Sequence, residues 1–567
     1  MTIALELSGI TYKYPGSSEP VLQDLNISFR KGGFHVICGP RGSGKSTLLR
    51  LARGFWSEYG GELTGDITLF GRSILKRSVS ELGSEVAIVF QNPAHQMHQL
   101  RVIDELMSPP SYQGLDWHEC ENRALSMARK SRIVELLSRN PSRISSGEQQ
   151  RVAIAAALTM DAKLLLIDEP ISFLDPRAGS EILNLIKAFH ENGKTVVLAT
   201  HDVQRVAKIA NSVALLSEGH MVARGSPRKI LYSKKARDLV GTPLLVETAS
   251  RMLEARILSN PVMDWSEVAR LMPDNPNVVN RKGPHPQRGT GRRMRTPAVV
   301  VQNLSFSYEP GDRVLDNISL AINDGEIFGL VGFSGSGKTT FSKILIGLLR
   351  PEAGKVFLLG REISGISTSD LARSIGYVFQ NPTEMLLTQS VEDECRLGRR
   401  ALRLPDSEKH VQDLLTRFGL KGLGRRNPYS LSGGQQRLLT IAAVVSTSPR
   451  IIILDEPDFG LDMKSWGSVK RIIKNLATRG HTIILITHNL EETLFLCDRI
   501  AVIAKGQVFA TAHPYWVLRD RQLLEAAGLG QVPISSVVSR ITVLRDSFSR
   551  KAGFRKALAV AIRRTYA

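Results

Sequence analysis

The sequence predicts an α/β fold built twice, each copy a mostly parallel sheet flanked by helices. Two features carry this, and their spacing makes the argument. A glycine-rich loop ending in lysine and hydroxyl residues lies between an apolar strand and a helix. It reads Gly39-Pro40-Arg41-Gly42-Ser43-Gly44-Lys45-Ser46-Thr47 and again Gly332-Phe333-Ser334-Gly335-Ser336-Gly337-Lys338-Thr339-Thr340. An apolar strand ending in Asp168-Glu169-Pro170 recurs as one ending in Asp455-Glu456-Pro457. Lys338 follows Lys45 by 293 positions and Asp455 follows Asp168 by 287, and independent features repeated at similar offsets mark a duplicated domain.

Each copy opens on alternating apolar and polar residues, Ile3–Leu7 with Leu25–Phe29, then Val299–Tyr308 with Leu315–Leu320. Turn residues separate the runs, Pro15-Gly16 and Pro310-Gly311, so these read as antiparallel strands. Phe34–Cys38 and Ile327–Val331 are short apolar runs before the loops, and Thr47–Ala52 and Phe341–Ile346 after them read as helices. Strands and helices then alternate, which argues a parallel sheet. Val196–Ala199 and Ile483–Ile486 read as further buried strands. The expected layout is a first domain over 1–226, a helical extension over 227–279, a basic linker over 280–297, a second domain over 298–512 and a C-terminal helical extension over 513–567. In the linker, proline, glycine and arginine crowd out apolar residues, so it cannot bury a core.

At 567 residues the chain has room for two to four domains, each with its own core. The formal net charge of +20 points to an anionic partner: nucleic acid, a membrane surface or nucleotide. No apolar stretch approaches the roughly 20 residues that span a bilayer, and Met1–Glu6 lacks the pattern of a signal peptide. Action at a membrane would therefore be from the cytoplasmic face and through partners. Cys38, Cys120, Cys395 and Cys497 form no metal-ligand spacing and read as buried apolar residues.

The loops and acids carry the chemistry. Glycines let the backbone wrap a polyphosphate, and the helix start offers free N–H groups and a partial positive charge. Lys45 would reach the β- and γ-phosphates, and the Ser46 hydroxyl would ligate Mg²⁺; Lys338 and Thr339 repeat this. Asp168 and Asp455 would hold Mg²⁺, while Glu169 and Glu456 would polarise the attacking water. An acid at the C-terminal end of such a strand sits where open α/β sheets bind ligands.

Between loop and acids lies Leu431-Ser432-Gly433-Gly434-Gln435-Gln436-Arg437, which resembles the signature motif of ABC ATPases. Ile144-Ser145-Ser146-Gly147-Glu148-Gln149-Gln150-Arg151 is its counterpart in the first half. Gln91 and Gln380, each in Val-Phe-Gln-Asn-Pro, match the Q-loop, and His201 and His488 match the switch histidine. Asp175 and Asp462 match the D-loop, and Tyr14 and Tyr308 match the aromatic that stacks on adenine. The resemblance implies two tandem P-loop ABC ATPase domains, each with an antiparallel β subdomain and a helical subdomain. It implies Mg²⁺ contacts from Gln91 and Gln380, and γ-phosphate contacts from the two histidines. It further implies that two ATP molecules lie head to tail between the halves, each completed by the other half's signature: Ser145, Gly147 and Glu148, or Ser432, Gly433, Gly434 and Gln435. Ser146 and Glu148 depart from the consensus glycine and glutamine, so the two sites are expected to be unequal.

Around the Q-loops, Gln99–Leu106 and Thr388–Glu394 are similar to the ATPases of energy-coupling-factor (ECF) transporters, which import vitamins and transition-metal ions. Leu524–Pro533 resembles their short C-terminal extension, and Asp238–Pro243 is a looser echo of it. The implied partners are a membrane coupling protein and a small substrate-binding membrane protein. The apolar-studded stretches Met97–Met107 and Met385–Val391 are expected to dock a membrane partner, with ordinary internal packing as the alternative. A ribosome-associated tandem ABC ATPase is the alternative. Against it, the acids are followed by Ile-Ser-Phe-Leu-Asp175 and Asp-Phe-Gly-Leu-Asp462, and the linker is full of helix breakers. DNA-repair relatives carry cysteine clusters absent from this sequence, and nucleic acid is not the expected partner. Arg545–Arg564 interleaves basic residues with Phe554, Leu558 and Ile562. Such a segment can lie on anionic lipid or pack on its own domain with a solvated basic face.

Overall fold

The structure, a computed structural model, describes residues 2–172, 174, 176–254, 258–271, 296–333, 335–530 and 532–538. Asp175, Ser334, the side chain of Ser146, linker residues 280–295 and the segment Arg545–Arg564 lie outside the described residues. The chain divides into two units, Met1–Val246 with Asp462–Lys464, and Glu247–Leu461 with Ser465–Ala567.

In the first unit the strands are β1 (Ile3–Lys13), β2 (Leu22–Arg30), β3 (Phe34–Cys38), β4 (Glu62–Leu69), β5 (Arg72–Ser73), β6 (Val86–Val89), β7 (Leu164–Asp168), β8 (Thr195–Ala199), β9 (Ser212–Ser217) and β10 (His220–Gly225). They form a four-stranded antiparallel sheet, β2-β1-β4-β5, and a six-stranded sheet, β10-β9-β3-β8-β7-β6. The larger sheet is parallel except for β10. Every residue of β3, β7 and β8 is buried, as expected for strands covered on both faces. Because β3, β8 and β7 are neighbours, their C-terminal ends bring the glycine loop, His201 and the two acids to one edge.

The second unit repeats this with β11 (Pro297–Ser307), β12 (Arg313–Asn323), β13 (Ile327–Val331), β14 (Ala353–Leu358), β15 (Arg361–Glu362), β16 (Ile375–Val378), β17 (Ile451–Asp455), β18 (Thr482–Thr487), β19 (Arg499–Ala504) and β20 (Gln507–Ala512). Its sheets run β12-β11-β14-β15 and β16-β17-β18-β13-β19-β20, the same order read from the opposite edge. Residues of both sheets and the loop helix share one core, including Leu5, Phe29, Leu48 and Leu164 in the first unit and Val299, Phe341 and Ile453 in the second.

Helices Val102–Tyr112, Trp117–Lys130 and Ser146–Thr159 form a helical subdomain in the first unit around Leu106, Ala124, Ala128 and Val152. Val391–Ala401, Glu408–Arg417 and Gly433–Val445 are their counterparts. The segment expected as one extension over 227–279 is divided between the units. Helices Pro227–Leu231 and Lys234–Val240 belong to the first, whereas Trp265–Leu271 belongs to the second. There the buried Trp265 donates from its indole Nε1 to Glu491 Oε2 at 3.1 Å. All four cysteines are buried and free. Among the described residues no helix is long and apolar enough to cross a membrane.

Candidate functional site

Lys45 opens helix Lys45–Arg53 and turns its buried ammonium back on the loop, donating to the carbonyls of Gly39 at 2.7 Å and Pro40 at 2.9 Å. Lys338 donates likewise to Gly332 at 2.9 Å and Phe333 at 2.6 Å. Each lysine thus braces the ring of backbone it closes. Gly44 and Gly337 precede these helices with φ of 94° and 101°, a region that favours glycine. A Cβ on Gly39 would lie 2.1 Å from the Leu216 carbonyl oxygen, and on Gly332 2.2 Å from that of Ile503, so no larger residue fits. Neither helix has a side-chain N-cap, which leaves the first-turn amides to an anion. Tyr14 and Tyr308 stand beside these helices, each hydroxyl 3.2 Å from a threonine Oγ1, of Thr47 and Thr340.

The acids follow at the ends of β7 and β17. Asp168 is buried and its Oδ1 has no hydrogen-bond partner. Burial pushes its carboxyl up, against the Ser46 hydrogen bond and the Lys45 charge. Asp455 is also pushed up by burial, against hydrogen bonds from Tyr377 at 2.6 Å and Thr339 at 3.4 Å. A buried carboxylate beside a hydroxyl is an oxygen donor set that suits Mg²⁺, which takes one or two protein carboxylates and completes its shell with water and phosphate. No group of three His, Cys, Asp or Glu side chains that could hold a metal ion is present among the described residues.

Glu169 and Glu456 adopt φ of 46° and 41°, in the left-handed region that non-glycine residues rarely enter. Each is pinned by its neighbour strand, Glu169 N–H donating to Ala199 O and Glu456 N–H to Ile486 O, both at 2.9 Å. That twist delivers the carboxylate to the histidine after the same strand. Glu169 Oε1 accepts the His201 amide at 3.0 Å and lies 2.9 Å from its ring Nδ1, while Oε2 accepts Ser172 Oγ at 2.7 Å. Glu456 Oε1 lies 3.2 Å from His488 Nδ1 and Oε2 accepts Gln380 Nε2 at 2.9 Å. Burial alone would raise each glutamate and lower each histidine. Their mutual hydrogen bond and charge reverse this, holding the glutamates low and the histidines above their usual value.

The signature serines begin the helices Ser146–Thr159 and Gly433–Val445 as N-caps. Both close a capping box, but with different chemistry. Ser432 accepts from the Gln435 amide at 3.3 Å, and Gln435 Oε1 accepts only the Ser432 amide at 3.0 Å. Glu148 Oε2 instead takes both the Ser145 amide at 2.8 Å and the Ser145 hydroxyl at 2.7 Å. The Ser145 hydroxyl holds the Glu148 carboxyl below its usual range. The carboxylate therefore turns back onto the signature serine rather than away from it.

The stretches after the Q-loops are less exposed than their apolar residues suggest. Met97, Ile103 and Met107 pack on the helical core, and Leu386 and Val391 are buried. Of their apolar side chains Leu100 and Leu387 project, 77% and 75% exposed, at positions that do not correspond: Leu387 aligns with His98 and Leu100 with Gln389. Buried Glu105 and Glu394 hold these loops, Oε2 of Glu105 accepting the His98 and Gln99 amides and that of Glu394 the Leu387 and Thr388 amides.

Sequence reasoning missed Tyr377 and Ser342, which link Asp455 to the loop helix through the Ser342 Oγ and Tyr377 hydroxyl contact at 3.2 Å. Their positions in the first half hold Ile88 and Leu49, so comparing the halves would have flagged them.

These sites define a tandem nucleotide-hydrolysing protein. The ABC transporter family model matches residues 22–172 and 315–458. A "Putative ABC transporter ATP-binding protein" of Methanosarcina acetivorans is 32% identical over 544 residues, covering 93% of this chain and 88% of that one. One of the same name from Streptococcus mutans is 31% identical over 548 residues, covering 95% and 96%. The solved structure of CbiO1 from Clostridium perfringens, described as part of the ABC transporter complex cbiONQ, is 29% identical, with a TM-score of 0.38, over 43% of this chain and 99% of that one. The chain belongs to the ABC transporter ATP-binding family and is an ATPase with two tandem ABC domains.

The glutamate–histidine pairs make nucleotide-free stability depend on pH. The histidine pKa values are raised on folding, so their contribution is complete below about pH 6.5 and is lost as pH rises through the raised value. The melting temperature of the wild type should therefore converge on that of the His201→Ala, His488→Ala double variant as pH rises above about 6.5. A gap that stays constant or widens would contradict the pairing.

Proposed function

We propose that this chain is the energising subunit of a membrane importer of the ECF kind, bound at the cytoplasmic face and serving a vitamin or a transition-metal ion. An exposed leucine in the stretch after each Q-loop, Leu100 in the first half and Leu387 in the second, is the observation that carries the transport reading. The ECF subtype rests on the sequence of those loops and of Leu524–Pro533.

In this reading Lys45 and Lys338 release the loop carbonyls and reach the β- and γ-phosphates, while the first-turn amides hold the polyphosphate. Tyr14 and Tyr308 stack on adenine. Ser46, Asp168 and Gln91, or Thr339, Asp455 and Gln380, would hold Mg²⁺, which supplies positive charge to the phosphate oxygens. Glu169 and Glu456, kept ionised by their histidines, polarise the attacking water. His201 and His488 then exchange the carboxylate for the γ-phosphate. The signatures complete the sites, with Asp175 and Asp462 beside them, and here the halves part. Ser432 keeps its hydroxyl proton for a phosphate, whereas Ser145 spends its own on Glu148. We assign the intact signature to the nucleotide on Lys45 and the weaker one to that on Lys338.

Lys45→Ala with Lys338→Ala removes a charge-assisted contact at each site and should abolish ATP turnover; retained turnover would sink the enzymatic reading. Leu387→Glu should uncouple transport while leaving basal hydrolysis intact, measured as substrate uptake against phosphate release. If uptake also survives, that surface is not the docking site. Tagged protein purified from membranes should bring two small hydrophobic proteins with it. Recovery of ribosomal proteins in their place would favour the non-transport alternative.

A further inference from the structure

The halves differ at two buried or half-buried positions to which the motifs above assign no role. Five residues after the signature serine the second half carries Arg437 and the first half Gln150; two residues after the catalytic glutamate they carry Asp458 and Ile171. Arg437 is fully buried in helix Gly433–Val445. Its Nη1 donates to the Phe379 carbonyl at 2.6 Å and its Nη2 to the Gln380 carbonyl, so one guanidinium spans the Q-loop backbone. Burial lowers it to about 10, with Asp458 and Asp455 opposing, and it stays charged at neutral pH. Asp458 keeps one oxygen sealed from solvent with no hydrogen-bond partner.

Burying an arginine is costly unless its geometry is used, and only a planar fork bridges two carbonyls in this way. In the first half the charge and its acid are absent together. Gln150 is buried and its Nε2 has no hydrogen-bond partner. The halves also differ at the acids, where Ser172 of the first half is replaced by Phe459 in the second. Gln380 Nε2 reaches Glu456 at 2.9 Å, whereas no bond joins Gln91 to Glu169, whose oxygens are taken by Ser172 and His201.

We propose that Arg437 is a positioning residue that ties the Q-loop of the second half to its signature helix and so holds Gln380 against Glu456. The first half, with Gln150, lacks this tie. Its catalytic consequence rests on the ATPase reading above. In the second half, movement of the partner-facing loop is carried directly to the signature helix; in the first half the two can move separately.

Hydrogen exchange on the nucleotide-free, full-length protein tests the tie without ATP. Arg437→Gln should raise exchange at amides 379–384 about tenfold while leaving 90–95 unchanged. Steady-state kcat should fall, by no more than in Glu456→Gln, with KM for ATP within about twofold, because a misplaced group costs rate more than binding. Arg437→Lys, which keeps the charge and loses the fork, should fall between. Arg437→Gln with Asp458→Ile recreates the pairing the first half folds with, and should show the same exchange even if the single variant misfolds. Gln150→Ala should change neither measurement. Unchanged exchange at 379–384 in folded variants, or an equal fall in kcat from Gln150→Ala, would overturn the proposal. A wild type without ATP turnover would fail the ATPase reading alone, since the exchange arm would still decide the tie.

Discussion

The constraint on which both halves depend is the placement of a glutamate just beyond the end of a buried central strand. Glu169 and Glu456 can face a histidine only because the backbone turns left-handed at that residue, at φ of 46° and 41°. That conformation is unfavourable by about 1–3 kcal/mol and persists only where the surroundings over-determine it. Here the amide is fixed to the neighbouring strand and the carboxylate to the histidine that follows that strand. The parallel order β3-β8-β7, repeated as β13-β18-β17, is what makes loop, histidine and acid adjacent. The fully buried strands and the core beneath the loop helix hold that order.

Much of this was legible in the sequence because backbone demands restrict residue choice. A loop whose Cβ positions would strike a carbonyl at 2.1–2.2 Å must be glycine, so its motif survives as letters. The apolar runs of β3, β7 and β8 announced strands covered on both faces. Side-chain direction was not legible. Met97 and Leu100 look alike as text, yet one packs on the helical core and the other projects, because Glu105 fixes the path of the loop between them. Glu148 read as a charge near the signature; its grip on the Ser145 hydroxyl depends on helix-start geometry that no motif spells out. Helix Trp265–Leu271 likewise read as part of the first half's extension, whereas Trp265 is buried against the second unit's Glu491.

Duplication turns these details into contrasts within one chain. Asp455 is held by Tyr377 and Thr339, where the first half has Ile88 at the tyrosine's position. Glu456 takes its second hydrogen bond from the Q-loop, Glu169 from Ser172. The second half is wired from signature helix to acid by Arg437, Tyr377 and Ser342, where the first half has Gln150, Ile88 and Leu49. Buried polar networks specify a geometry more narrowly than apolar contacts do. Two copies that share a fold and a motif set thus hold their acids with different groups.

We propose that the intact signature serves the nucleotide on Lys45 and the altered one that on Lys338. Comparing steady-state ATP turnover of Glu169→Gln and Glu456→Gln tests it most directly. Losing one well-placed donor at a developing charge typically costs about 3 kcal/mol of transition-state stabilisation, and Ser145 is weakened by less than that. Glu169→Gln should therefore remove most of the turnover and Glu456→Gln a smaller part. Equal losses, or a larger loss from Glu456→Gln, would contradict the account.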